Sequence, residues 1–158
     1  MSLLRSTEGA VFVETLVAII VPVMFFFVTW QLVDLFTAQL ILKHAAVAAA
    51  RAAVVVGPDD RRFYGGEARD QFSDGGQRLG DVKRAAALVI GAAPNLVAFG
   101  VEIQGSPKDN NPITAVVKAD YACHGGWLSY VCAGASTRRL TAEATLPYQG
   151  ASFKYEGE

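Results

Sequence analysis

The sequence predicts an α+β protein. One long N-terminal helix, apolar enough to cross a membrane, is packed on a small head made of a second helix and an antiparallel sheet of three or slightly more strands. Three observations lead there. Nineteen residues, Thr15 to Val33, carry no ionisable side chain, and as a helix they span about 29 Å, close to the roughly 30 Å hydrocarbon core of a bilayer. The apolar character then continues through LFTAQLILKHAAVAAARAAVVV to a Gly57-Pro58 breaker. In the C-terminal half, three segments alternate apolar and polar residues at period two, as strands with one buried face do.

The long helix, taken from Ala10 to Val56, is about 70 Å long, more than twice the bilayer. Its distal half must therefore pack against protein. The alanines between Ala38 and Ala53 leave a thin surface that lets backbones approach closely. Two partners suit that surface, the head of this protein and copies of the same helix in a bundle, and both can hold at once. A cleaved secretory signal is the competing targeting interpretation, but its apolar region runs about 7 to 15 residues before small residues follow. Here Asp34 arrives only after the uncharged run, and the Ala46-Val47-Ala48 triplet lies too far downstream, so retention of the helix is expected.

Between Gly57 and Gly76 the composition changes to Gly, Asp and Arg, GPDDRRFYGGEARDQFSDGG. This reads as a connecting loop with one helical turn in Glu67 to Phe72. Asp59, Asp60, Asp70 and Asp74 lack the alternating spacing and closing glutamate of a calcium loop and read as solvated charges. A second helix follows over Gln77 to Ile90, closed by Gly91 and Pro94, with Leu79, Val82, Ala86 and Val89 on one face and Asp81, Lys83 and Arg84 pointing elsewhere.

The three strands are Val97 to Ile103, Ile113 to Tyr121 and Leu140 to Leu146. Their buried faces are expected to carry Val97, Phe99, Val101 and Ile103; Ile113, Ala115, Val117, Ala119 and Tyr121; and Leu140, Ala142, Ala144 and Leu146. Gly105 to Pro112 suits a hairpin. The distal half of the long helix and the second helix are the obvious cover.

Cys123 and Cys132 lie just outside the ends of two strands that antiparallel pairing brings together. In an exported domain this predicts a disulfide; in a cytoplasmic head the pair would be two free thiols. Zinc fits less well, because Cys123, His124 and Cys132 supply three ligands and the other histidine, His44, belongs to the long helix. The loop between the cysteines carries Trp127, Leu128 and Tyr130. They read either as a contact surface for another protein or as aromatics tucked under the sheet.

With 158 residues, 52% of them hydrophobic, and a formal net charge of -1, the chain suits an anchored domain. It carries no basic excess for a nucleic acid partner. Nothing points to catalysis or a cofactor: the two histidines are far apart, no nucleophile motif occurs, and no Gly-rich phosphate loop follows a strand.

The residues before the span narrow the reading. MSLLRSTEG ends in Gly9, and Ala10-Val11-Phe12-Val13-Glu14 places a carboxylate five residues after that glycine at the mouth of the apolar helix. This resembles the leader of type IV pilins and pseudopilins. With the apolar run containing Pro22 and the later HAAVAAARAAVV, the first 56 or so residues are similar to the TadE-like minor pilins of tight-adherence (Tad) pilus systems, although Thr15 stands where an aromatic is common in that group. The resemblance implies cleavage between Gly9 and Ala10 by a prepilin peptidase, and a pilin-like lollipop with residues 1–9 as leader, 10–56 as helix, 57–76 as connecting loop and 77–158 as head. It also implies membrane lipid, other pilin subunits and a pilus assembly platform as partners. Glu14 would then act in assembly: a carboxylate at the lipid boundary is costly unless paired, and the Ala10 amine of an adjacent subunit is a suitable partner. The alternatives are an ordinary signal anchor with Glu14 among the head groups, and a single-pass anchored binding module that never polymerises.

Orientation is contested within the sequence. Arg5 alone precedes the span, while Lys43, Arg51, Arg61 and Arg62 follow it, so a count of basic residues puts the carboxyl side in the cytoplasm. The resemblance implies the reverse, an inner-membrane protein with a cytoplasmic N-terminus and an extracytoplasmic head. The resemblance is followed, because the later charges belong to a folded domain.

Overall fold

A computed structural model of the chain describes residues 7–105, 111–123, 132 and 134–148. Its elements in order are helix α1 (Thr7–Val56), a 3-10 turn at Arg61–Phe63, helix α2 (Gln77–Ile90), and strands β1 (Leu96–Gln104), β2 (Ile113–Ala122) and β3 (Thr137–Leu146). The strands form one antiparallel sheet in the order β1-β2-β3, and α1 and α2 pack on its inner face.

α1 is unbroken for 50 residues, about 75 Å. It begins at Thr7 rather than Ala10, so the Gly9–Ala10 bond lies in its opening turns. Pro22 sits inside it, and its missing N–H leaves the Ala18 carbonyl without the usual donor, a loss that apolar helices tolerate. The burial pattern divides the helix in two. From Val11 to Val33 the side chains are exposed, apart from the half-buried Met24 and Gln31. From Leu35 onward Leu35, Ala38, Leu42, Ala45, Ala46, Ala49, Ala50 and Ala53 are buried at three- and four-residue spacing. Because most of that stripe is methyl groups, the helix backbone lies close against α2 and the sheet.

The sheet supplies the other side of the core. Ile113, Ala115, Val117, Ala119 and Tyr121 of β2 are all buried, as their alternation predicts, and Leu140 and Ala142 join them from β3. β1 departs from the expected pattern. The register with β2 shifts between Val97 and Phe99, where Ala98 adopts φ 41°, a left-handed conformation that a non-glycine residue rarely takes. The extra residue is a β-bulge. It brings Leu96, paired with Tyr121, into the core and turns Val97, paired with Asp120, outward.

The connecting loop also departs from expectation. No helical turn forms over Glu67 to Phe72, and Asp70 takes φ 62° there. Glu67 instead caps α2, whose preceding residue Gly76 has no side chain to do so: its carboxylate accepts from the amides of Gln77 at 2.9 Å and Arg78 at 3.2 Å. Asp60 is not a solvated charge but is 4% exposed, capping the 3-10 turn through the Arg62 amide. That bond first, and then the charges of Arg62, Arg69 and Arg61, hold its carboxyl below the usual range.

α1 ends against an arginine. The Arg78 side chain is fully buried. Its guanidinium donates to the carbonyls of Val56, Gly57 at 3.0 Å and Asp59 at 2.8 Å, and lies 4.3 Å from the centre of the Tyr64 ring. Orphan carbonyls and the negative end of the helix dipole thus receive a cation. Gly57 makes the closure possible: a Cβ there would sit 2.9 Å from the Ala53 carbonyl and 3.3 Å from the Asp70 carboxylate. Replacing Arg78 with Met roughly keeps the volume but strands three carbonyl acceptors, the one of Gly57 buried and those of Val56 and Asp59 partly so. We expect Arg78→Met to lower unfolding stability by on the order of 3 kcal/mol, read as a reduced urea midpoint in detergent, with Arg84→Met, whose side chain is 83% exposed, near neutral.

Candidate membrane-anchoring and assembly site

The exposed half of α1 meets two conditions for a lipid environment. Its length and composition suffice to cross a membrane, and none of its most apolar stretch is buried. Its two threonines are satisfied internally: Thr15 donates to the Val11 carbonyl and Thr29 to the Phe25 carbonyl, both at 2.9 Å. Large apolar residues surround the helix, among them Phe12, Val21, Phe25 and Trp30, so no face is reserved for water. Phe26 packs edge-on against Phe27 with centroids 5.9 Å apart and tilted against Trp30 at 6.1 Å. Trp30 is one turn before Asp34, the level at which tryptophan gathers at a membrane surface.

Carboxylates bracket this stretch. Glu14 is exposed near one end of the helix, and Asp34 is half-buried at the other, where the head begins. Gly9 and Ala10 stand one turn before Glu14 along the helix. The three residues that the leader pattern singled out therefore occupy consecutive turns at the N-terminal end of α1.

The junction with the head is built by the ends of β2 and β3. Tyr121 is buried there, and burial first, then the negative charge of Asp34, push its phenol up. Cross-strand from Tyr121 and Asp120 are Arg138 and Arg139, both exposed. Arg139 grips the Asp120 carboxylate through Nε at 2.9 Å and Nη2 at 3.3 Å, which holds that carboxyl low and raises the guanidinium.

Just beyond these pairs a disulfide joins Cys123 to Cys132, with Cα atoms 6.4 Å apart. The Cys123 amide donates to the Ser136 carbonyl at 2.9 Å, so the bridge prolongs the β2–β3 ladder, and Cys132 is buried in the core. His44 is exposed on α1. Trp127, Leu128 and Tyr130, together with His124, lie outside the described residues.

No family model, curated protein or solved structure matches this chain.

Several important residues were not singled out by sequence patterning. Arg78 is the clearest, and a signal existed: it falls on the same helical stripe as Val82 and Ala86. Gln31 was also passed over, although it interrupts an apolar run. Its Oε1 is shielded from solvent and has no hydrogen-bond partner. Tyr148 bonds Asp70 at 3.3 Å, a pairing across the fold that no local pattern reveals.

Three buried or half-buried tyrosines give the head a defined alkaline limit. Burial is the main cause that raises Tyr64, Tyr121 and Tyr148, reinforced by Asp59, Asp34 and Asp70 respectively. Below about pH 10 these phenols are protonated in folded and unfolded chains alike. As pH rises through about 10 the unfolded chain releases its protons first, so the folded state loses stability. The expected result is a urea midpoint that is flat with respect to these groups up to about pH 9 and falls above 10, with a shallower fall when all three are replaced by Phe.

Proposed function

We propose that this protein is a minor pilin or pseudopilin, a structural subunit that waits in the inner membrane and enters a type IV or Tad-like filament after its leader is removed at Gly9. One observation carries the reading. α1 is a single rod whose first half is apolar on every side and uncovered, while its second half is fixed to the head by a stripe of alanines. An uncovered apolar helix needs a host, and lipid and a bundle of like helices are the two environments that meet that need.

Retention of the helix follows from the same division. Cleavage near Ala46–Ala48, as for a secretory signal, would remove Leu35, Ala38, Leu42 and Ala45 from the core, so the folded head needs the helix. The Cys123–Cys132 bridge favours an oxidising compartment and hence a head outside the cytoplasm. Lys43 and Arg51 are on the head-bound half of α1 and Arg61 and Arg62 on the turn after it. They belong to a folded unit and weigh little in the count of basic residues that would orient the span the other way.

In this account the prepilin peptidase acts at the opening turns of α1, which must fray to admit it. Release of residues 1–9 leaves the Ala10 amine, and Glu14 of a neighbouring subunit pairs with it as the helix moves from lipid into the bundle. The assembly platform draws the subunit out, and the head contributes to the filament surface. The competing reading is an anchored binding module that never polymerises.

Amino-terminal mass spectrometry separates the two. In cells containing the peptidase the mature chain is expected to begin at Ala10, whereas an intact leader contradicts the proposal. Glu14→Ala is expected to leave membrane insertion unchanged and to lower recovery in sheared filaments about tenfold, equivalent to loss of about 1.4 kcal/mol of pairing; undiminished recovery removes Glu14 from assembly.

A further inference from the structure

The junction between span and head constrains how the head sits on a membrane. We infer that the rim of the head bearing Arg138 and Arg139 lies in the phosphate layer of the bilayer, with the two guanidinium groups on phospholipid phosphates. The inference rests on the reading of α1 as a membrane span.

α1 continues without a break from the apolar half into the head, so no flexible link holds the head away from the surface. Thr15 to Val33 fill the hydrocarbon core by length. Leu35, only two positions after Val33, is already 5% exposed and part of the head's core, a rise of about 3 Å. The head-group layer on each side of a bilayer is about 5 to 7 Å deep. The end of the head at the level of Leu35 therefore lies within that layer.

The residues at this level are set by the sheet register. Leu146 and Pro147, at one end of β3, line a cavity with Arg51, Val54 and Val55 near the far end of α1, so the other end of the β2–β3 ladder, where Tyr121 pairs with Arg138 and Asp120 with Arg139, lies toward Leu35. Arg138 thus shares the helix-side face with Tyr121, and Arg139 lies on the outer face. The Arg139 side chain is 71% exposed and gives Asp120 only its Nε and Nη2 edge, so further N–H groups remain to donate. A guanidinium fork matches the oxygens of a phosphodiester. Asp120 holds Arg139 and Asp34 directly precedes Leu35 on α1, so the two carboxylates and two guanidinium groups at this level carry no net charge together. The match is therefore to the phosphate itself, present in zwitterionic and anionic lipids alike. Contact on both faces of the sheet end fixes the depth and tilt of α1 until the subunit is extracted.

Depth-resolved fluorescence quenching tests this with the full chain in phosphatidylcholine vesicles and a fluorophore on one introduced cysteine, the native disulfide being retained. A probe at Val21→Cys should be quenched by acyl-chain nitroxide lipid. A probe at Thr137→Cys should be quenched by head-group nitroxide lipid at least threefold more than one at Thr145→Cys, about 26 Å further along β3. Failure at Val21 overturns the spanning reading and this inference with it. Quenching at Val21 with equal responses at Thr137 and Thr145 overturns the rim contact alone. Arg138→Glu with Arg139→Glu should halve the Thr137 response while the Lys pair preserves it, in variants whose circular dichroism is unchanged; an undiminished response in the Glu pair overturns the assignment to the arginines. The same quenching in vesicles with and without phosphatidylglycerol is expected, and quenching only with the anionic lipid overturns recognition of the phosphate in favour of net charge.

Discussion

Ala45, Ala46, Ala49, Ala50 and Ala53 bring the backbone of α1 against the sheet and α2 with nothing longer than a methyl group between them. Everything else in the molecule depends on that seating. In a folded protein most of a helix's stability comes from packing its apolar face, and the apolar face of the sheet is costly for as long as it meets water. Each completes the other. Large residues on the buried stripe would hold the helix away and open the core to water, whereas alanines keep the layers close at little entropic cost. Arg78 then fixes the end of the rod by filling the carbonyls that the last turn leaves open.

Because the distal half of α1 is part of the head's core, whatever holds the proximal half also positions the head. Lipid around Val11 to Val33 would orient the sheet, and under the proposed function a bundle of like helices would do the same from within a filament. The bonding of Thr15 and Thr29 to their own helix leaves that surface with few unmet polar demands, so transfer between two apolar surroundings costs little beyond the charged boundary groups. Glu14 and Asp34 are those groups, one at each edge. They differ in setting: Asp34 is half-covered by the head beside Tyr121, while Glu14 is exposed.

Much of this was legible in the sequence because periodicity reports burial directly. The spacing of Leu79, Val82 and Ala86 located α2 to the residue. The alternation along β2 named its helix-side face, although Val116 on the opposite face is buried as well, and the position of Cys123 and Cys132 beyond two strand ends anticipated the bridge. The misreadings arise where one local conformation overrides the pattern. Ala98 adopts a left-handed φ that propensity gives no reason to expect of alanine, and it shifts Val97 to the wrong face. Glu67 was given to a helical turn on local composition, but its carboxylate is needed at the start of α2, ten residues away. Asp60 was read as a solvated charge and Arg78 was not singled out, yet their partners are backbone groups that only the folded loop assembles. The resemblance to a leader at Gly9, Ala10 and Glu14 is of another kind, since what it implies concerns processing and partners rather than this chain's own packing.

The central claim is that α1 is one rigid rod shared between an apolar host and the head. Pulsed electron–electron distance measurement on the full chain in bilayers, with spin labels at Val17→Cys and Val47→Cys, tests it most directly. Thirty residues of unbroken helix separate the two sites, and the account predicts a single narrow distribution centred at about 45 Å. A broad distribution, or one centred well short of that length, would mean a hinge between the two halves and would contradict the account.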